Sequence, residues 1–379
     1  MKQEETKMTY QKWAKQTMNL IMHKLKNTAP AIGVSFPHIA DGAVYDNQAP
    51  DWWTNGFWPG ILWIAFQQSG GKEYAKIANA IEEKMDTVLE NFETLHHDVG
   101  FMWLLSSGAN YRLTQNSAAR LRLIKAANIL AARFNPKGNF IRAWNDAEHT
   151  GWAIIDCTMN LALLYRASAE TKDPRFLHIA EAHADTVLKH FIRPDGSSCH
   201  IVSFDPKNGE YLETFGGQGA APDSAWSRGN AWALYGLALA YRHLKKEEYL
   251  TVCKRVANFF LTNLPEDYVP HWDFRVPRTA KTPRDTSAAA CAACGLLELT
   301  KHLPETEAQV YTEKAVLILR SLTDNYSNLG NTNQAILREG TSNLPADAGI
   351  RVGLIYGDYF YMEAISRLCG NDDIFWYSK

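Results

Sequence analysis

A chain of 379 residues, 46% of them hydrophobic and 21% charged, buries a large core, and length alone suggests two or three domains. A formal net charge of −2 gives no global basic field, which excludes general attraction to nucleic acid or to an anionic membrane. Six irregularly spaced cysteines in so long a chain exclude a disulfide framework.

The N-terminal stretch MKQEETKMTYQKW is polar and has no apolar signal region, and no apolar run reaches the ~18 residues of a membrane helix. The expectation is a soluble cytoplasmic protein, or a periplasmic one if a signal peptide has been removed. An amphipathic run near 9–27 precedes the first of six phrases in which a polar, Gly- or Asp-containing start leads into an unusually apolar, aromatic helix: WTNGFWPGILWIAF, from Trp53. A second amphipathic run, near 73–93, precedes HHDVGFMWLLSSGANY, from His96. ARLRLIKAANILAARF then places Leu123, Ala127, Leu130 and Phe134 on one face, and IIDCTMNLALLYRAS begins at Ile154. Asp173-Pro174 reads as an N-cap followed by Pro at N1, opening FLHIAEAHADTVLKHF. SSCHIVSFDPKNGEYLETF (197–215) breaks the helical rule: a strand-like run, an Asp-Pro-Lys-Asn-Gly turn and a second short run predict an inserted β-hairpin. The last three phrases are SAWSRGNAWALYGLALAYRHL from Ser224, PRDTSAAACAACGLLEL from Pro283 and YGDYFYMEAISRL from Tyr356. Amphipathic runs near 246–263 and 306–324 separate them.

The six phrases recur roughly 40–75 residues apart, a repeat architecture. Helices that are apolar nearly all round must be buried, and amphipathic ones cover them. The economical solution is all-α: an (α/α)6 barrel, a double toroid of six inner and six outer helices with a small β-hairpin insertion. No Ser/Gly/Pro-rich linker divides the chain, so residues 1–379 form a single domain.

In such a ring the inner helices start on one face. Trp53, Asn55, Asp98, Asp156, Trp226, Arg228, Arg284, Asp285, Asp358 and Tyr359 then converge on one mouth. Its aromatics suit the flat faces of sugars. Its carboxylates are pulled towards the ionised form by helix N-termini and towards the neutral form by apolar walls. Asp98 and Asp156 both run directly into apolar helices. Two neighbouring carboxylates in unlike surroundings can have their pKa values pushed apart, giving one proton donor and one anion. The alternative is that each only N-caps its helix.

His96-His97 has no HExxH around it and no further His at ligand spacing, so capping or support of a neighbouring group is expected rather than a metal cofactor. Gly216-Gly217-Gln218-Gly219 lacks the order and the preceding βαβ unit of a nucleotide loop, and no G-x-S-x-G is present. Cys291-Ala-Ala-Cys294 lies in an Ala-rich helix without a second pair, which predicts buried thiols. No metal and no cofactor is expected. Among the tryptophans, Trp53, Trp144 (in RAWND) and Trp226 are the candidates for stacking on a substrate.

DWWTNGFWPGILW, HHDVGF, IIDCTMNL, the SSCH…FDP…NG hairpin, AWSRGNAWALYGLAL, HWDFRVP, PRDTSAAA…CGLLEL and GDYFYMEA, in this order, resemble the unsaturated glucuronyl hydrolases, glycoside hydrolase family 88, essentially end to end. The resemblance implies an (α/α)6 barrel and an enzyme acting on unsaturated uronate-terminated oligosaccharides of the glycosaminoglycan type. It implies removal of the 4,5-unsaturated sugar by hydration of the C4=C5 enol ether. Asp156 matches the general acid/base, and Asp98 the aspartate that holds sugar hydroxyls and stays ionised. His200, Gln218, Arg228 and Trp232 match substrate-binding positions, with Arg228 expected to counter the uronate carboxylate through its planar fork. Trp53, Trp144 and Trp226 would wall the sugar, and Tyr359 would close the pocket. The segment TSNLPADAGIRVGL lacks the Ser/Lys arrangement that some family members use for sulfate. A monomer or weak homo-oligomer is expected. The rival readings are an unsaturated rhamnogalacturonyl hydrolase acting on pectin fragments, a sugar epimerase, and a non-catalytic carbohydrate-binding toroid.

Overall fold

Burial periodicity sorts the helices into two rings. The structure is a computed structural model that describes residues 2–372 and 374–377, with side chains from residue 9 onward. Twelve helices make the rings: α1 (Lys2–Ile32), α2 (Phe57–Ser69), α3 (Lys72–Lys84), α4 (residues 99–114), α5 (Ser117–Ala132), α6 (Cys157–Thr171), α7 (Pro174–His190), α8 (Ser227–Leu244), α9 (Glu247–Thr262), α10 (Thr286–Leu299), α11 (Glu305–Tyr326) and α12 (Ile355–Leu368). The even-numbered helices are inner. In α10 and α12 every residue is buried. Outer α3 buries only Tyr74, Ala78, Ile81 and Glu82, one stripe of a 3.6-residue period. Each inner helix packs on the next, α2 to α4, α6, α8, α10, α12 and back to α2, which closes the ring. Close approach within it needs small residues: a Cβ on Gly236 of α8 would sit 2.5 Å from Thr158 of α6.

The helix bounds follow the sequence expectations with local differences. Asp173 caps α7 by accepting from Arg175 N, with Pro174 at N1. Phe134 leaves the α5 face and starts a strand. The run predicted over 73–93 ends at Lys84 and continues as a short helix, Asp86–Glu90. Cys291 and Cys294 are buried free thiols. Among the described residues no helix is long and apolar enough to cross a membrane.

The strands are β1 (Ile39–Ala40), β2 (Phe134–Asn135), β3 (Phe140–Ile141), β4 (Trp152–Ile154), β5 (Ile201–Phe204), β6 (Tyr211–Phe215), β7 (Gly340–Asn343) and β8 (Ala348–Leu354). The predicted hairpin is β5–β6, and β4 extends it to a three-stranded sheet. The single-insertion expectation is incomplete. A second sheet, β1-β8-β7, stands before α12, and β2–β3 form a small pair. β7–β8 escaped notice because β7 is short and polar, the connecting turn uses Asp347 at positive φ rather than an Asn-Gly signal, and Gly349 and Arg351, also at positive φ, interrupt the regular alternation of β8.

Mid-way along α4 the helix widens to a π turn, Leu104–Gly108. Glu82 of α3 is buried against this turn and accepts hydrogen bonds from Ser107 Oγ (2.9 Å), Asn110 Nδ2 (3.1 Å) and Trp63 Nε1 (3.3 Å). Burial pushes its carboxyl up to about 7, against the opposing pull of those donors and of Arg122. The folded state therefore holds this proton more tightly than the unfolded chain. Its stabilising contribution is present at low pH and is lost as pH rises from about 4.5 to about 7. Glu82→Gln should flatten the dependence of Tm on pH across that window; parallel curves for variant and wild type would refute the assignment.

The barrel interior is aromatic. Phe101 meets Trp232 (5.2 Å between ring centroids), Trp232 meets Phe360 (5.4 Å), and Phe360 stacks on Trp376 (6.1 Å). Trp376 comes from segment 374–377, which plugs the end of the ring opposite the helix starts. Its Nε1 donates to Glu363 Oε2 (2.7 Å), and the Tyr377 carbonyl accepts from Arg112 (2.8 Å) and Arg166 (3.2 Å).

Candidate active site

Asp98 and Asp156 occupy the N-cap positions of α4 and α6, yet neither side chain caps. Asp285, at the same place on α10, does cap, accepting from Ser287 N and Ala288 N. The simple capping alternative therefore fails for the first two. Both are tied to Asn160, one turn into α6, whose Nδ2 donates to Asp98 Oδ1 (2.9 Å) and to the Asp156 carbonyl (3.2 Å). One amide nitrogen touching both residues keeps them within reach of a single sugar ring.

The surroundings of Asp98 favour its anion. His97 Nδ1–H donates to the Ala143 carbonyl (2.9 Å), and its Nε2 stands 3.2 Å from Asp98 Oδ1. His96 Nδ1 is 3.6 Å from Oδ2. Burial works to neutralise Asp98, but His97, then His96 and the Asn160 amide, outweigh it and hold the carboxyl below the usual range. Conversely, burial opposes charge on His97, and Asp98 more than offsets that, raising it above its ordinary value. His96 is pulled down to about 4, mainly by burial.

Asp156 has a different neighbour. Its Oδ2 has no hydrogen-bond partner in the protein and lies 3.5 Å from His200 Nε2. His200 Nδ1 takes a hydrogen bond from the Gln218 amide (2.8 Å). An amide N–H only donates, so Nδ1 accepts and the ring proton sits on Nε2, towards Asp156. Gly217 makes this possible: it has φ +56°, and a Cβ there would be 2.1 Å from His200 Nδ1.

Arg228 departs from expectation. Nη1 donates to Asp285 Oδ2 (2.5 Å) and the Thr341 carbonyl (2.7 Å), while Nη2 donates to Gln218 Oε1 (2.6 Å) and the Ser342 carbonyl. Its plane lies over Trp226 (4.5 Å) and Tyr356 (5.3 Å). A cation this deeply buried needs pairing on every side, so both terminal nitrogens are committed and no free fork remains for a substrate carboxylate.

The walls are aromatic. Trp53 packs on Tyr356 (5.1 Å) and Phe101 (5.9 Å), Trp226 on His200 (4.5 Å), and Trp144 lies edge-on to His97 (6.5 Å). Trp232, one turn below Arg228, is floor rather than wall: it is fully buried, with Nε1 unpartnered. Tyr359 does not reach the mouth. It lies one turn deeper in α12, packed on Phe360 (5.3 Å) and Phe57 (5.6 Å). Tyr356, in the first turn, stands at the mouth instead, its phenol pushed up to about 12, chiefly by burial. Asp358 also turns away, accepting from Tyr45 Oη, Ile336 N (both 2.7 Å) and Leu337 N (2.8 Å), and burial raises it to about 7. Arg284 pairs outward with Asp267 (3.1 Å).

Sequence reasoning passed over His38, Tyr356 and Asn160. Asn160 was legible as i+4 from Asp156, on the same helix face. His38 follows a Pro in an irregular segment and carried no periodic signal; burial holds it at about 4. Around this mouth His38 Nε2, Asn55 Oδ1, His97 Nε2, Asp156 Oδ2, His200 Nε2 and the Tyr356 hydroxyl are all buried without a hydrogen-bond partner in the protein. Each costs about 1–3 kcal/mol unless a ligand or water satisfies it, so their convergence marks a binding site.

Sugars pair an apolar face with a hydroxylated rim, and a mouth offering both kinds of contact at the top of a twelve-helix ring puts this molecule among the (α/α)6 carbohydrate-active enzymes. Comparison with known proteins narrows the class. Residues 31–319 match Glycosyl Hydrolase Family 88, and the chain belongs to that family. It is 38% identical over 348 residues to the unsaturated chondroitin disaccharide hydrolase of Streptococcus pneumoniae (strain ATCC BAA-255 / R6), covering 88% of this chain and 87% of that one. It is 37% identical over 358 residues to the unsaturated glucuronyl hydrolase of Bacillus sp. (strain GL1), covering 92% and 94%. The crystal structure of unsaturated glucuronyl hydrolase from Streptococcus agalactiae superposes with a TM-score of 0.92 at 34% identity, over 97% of this chain and 94% of that one.

Proposed function

We propose that the enzyme removes the 4,5-unsaturated uronic acid from the non-reducing end of lyase-generated, glycosaminoglycan-type disaccharides. In this reading Asp156, in its acid form, gives a proton to C4 of the enol ether, and positive charge develops at C5. Water adds at C5 and returns a proton to Asp156. The hemiketal opens and the second sugar leaves. Asp98 stays ionised and holds the ring hydroxyls, which needs the His97 contact. His200 Nε2–H orients the Asp156 carboxyl. The charge of Arg228 reaches the uronate carboxylate at second hand: Gln218, whose Oε1 it occupies, turns its amide NH2 outward, and Tyr356 offers its hydroxyl. Trp53, Trp144 and Trp226 wall the sugar and Trp232 floors it.

The observation that carries the reading is the pair of N-cap aspartates that cap nothing, one held ionised and the other with an unpartnered oxygen beside His200. The test is incubation with an unsaturated chondroitin or hyaluronan disaccharide. The ultraviolet absorbance of the enol ether should disappear as free sugar is released. The same disaccharide reduced across C4–C5 should stay intact. Cleavage of the reduced compound would indicate displacement at C1 by a carboxylate pair and would overturn the hydration mechanism.

A further inference from the structure

We infer that His96, His97 and Asp98 form a binding site for Zn2+ that overlaps the sugar site, so that the ion inhibits the enzyme. His96 Nδ1, His97 Nε2 and an Asp98 carboxylate oxygen lie within 4.8 Å of one another. The nearest carboxylate oxygens lie 3.6 Å from His96 Nδ1 (Oδ2) and 3.2 Å from His97 Nε2 (Oδ1), so a small rotation of the carboxylate brings one oxygen to the edge length of a zinc tetrahedron. Ligands about 2.0–2.1 Å from the ion stand about 3.3 Å apart.

The groups behind the ligands also suit a metal. A ligating imidazole commonly donates its other N–H to a backbone carbonyl, and His97 Nδ1–H does so to Ala143. Nε2 is thereby turned to Asp98 Oδ1 at 3.2 Å, buried with 1% of the residue exposed, and an ion would take the place of the proton between them. His96 Nδ1 accepts a long contact from the Asp98 amide (3.4 Å), which an ion would replace. Arg133, a nearby positive charge, is held by the Leu95, Ala143 and Trp144 carbonyls.

Two nitrogens and one oxygen suit a borderline cation, whereas Mg2+ and Ca2+ require mostly oxygen ligands in greater number. The fourth position would open towards the sugar. An ion drawing on the Asp98 carboxylate takes away the group assigned to the ring hydroxyls, so inhibition is competitive. The inhibitory part rests on the proposed function; the binding does not.

The experiment uses Co2+ as a spectroscopic stand-in and Zn2+ as competitor. Both are measured in the Cys369→Ser background, because that thiol is only partly buried and would itself take the ion. Titration should give a visible band at one equivalent, displaced by Zn2+ and unaffected by Mg2+. His96→Ala and Asp98→Asn should each weaken binding about tenfold or more, while His178→Ala, on the exposed face of α7, should not. With an unsaturated disaccharide, Zn2+ should raise KM, leave kcat unchanged and be reversed by EDTA. Absence of a band, or a band unchanged in both His96→Ala and Asp98→Asn, overturns the site. A normal band in a protein inactive on the disaccharide would instead count against the proposed reaction.

Discussion

Asp156→Asn is expected to lower kcat/KM on an unsaturated disaccharide by roughly 10²–10⁴-fold, the range for loss of a positioned acid/base, while Tm stays at the wild-type value. Both halves follow from the geometry. The carboxyl caps no helix, and its Oδ2 has no hydrogen-bond partner in the protein. An amide of the same shape therefore removes no hydrogen bond that the fold uses. What disappears is the carboxyl 3.5 Å from His200 Nε2 that hands over a proton and takes one back. Rate measured by loss of enol-ether absorbance, with thermal unfolding of the same preparation, separates the two effects. Near wild-type turnover would end the assignment, and a large drop in Tm would recast Asp156 as structural.

Asp285→Ala is expected to be the most destabilising single change at the site, about 3–5 kcal/mol, because it strands a buried cation. Arg228 and Asp285 are 2% and 0% exposed at their side chains. The carboxylate accepts the Arg228 contact on Oδ2, and on Oδ1 it accepts Ser287 N (3.1 Å) and Ser287 Oγ (2.6 Å). The substitution thus removes an ion pair and a helix cap together. Urea unfolding measures the loss. The double change Arg228→Met with Asp285→Leu should recover part of the stability while leaving the enzyme impaired, since replacing both charges costs far less than removing one. A loss below about 1 kcal/mol for Asp285→Ala would mean that the Thr341 and Ser342 carbonyls alone satisfy the guanidinium.

The architecture was legible because burial writes itself into composition. Runs such as AWALYGLALAY and AAACAACGLLEL have no polar face, so they had to be inner helices. The aspartates were legible as charges placed at the mouths of such runs. What the sequence concealed lies in the third dimension. Gln218 was marked as a substrate contact, but nothing in GGQG says that its amide N–H fixes the His200 tautomer, because that depends on a left-handed Gly217 bringing the loop under the imidazole. Arg228 was marked for the uronate because a planar fork suits a carboxylate. That its fork is filled by β7 carbonyls could not be read from a segment whose strands gave no pattern. Tyr359 and Tyr356 differ by one helical turn, a depth that depends on where α12 begins.

Synthesis runs from the N-terminus, so Trp376 and Tyr377 leave the ribosome only after all six inner helices have been made. Arg166 meets the Tyr377 carbonyl across 211 residues of chain and Arg112 meets it across 265, and neither contact exists during elongation. Until then the nascent tube is open at its base, with the faces of Phe101 and Phe360 that meet Trp376 uncovered. Such late-closing, long-range contacts slow maturation and leave a half-made chain prone to sticking to its neighbours. A stalled or clipped product lacking those few residues would keep every site residue named above and still lack the stopper against which the catalytic floor is pressed.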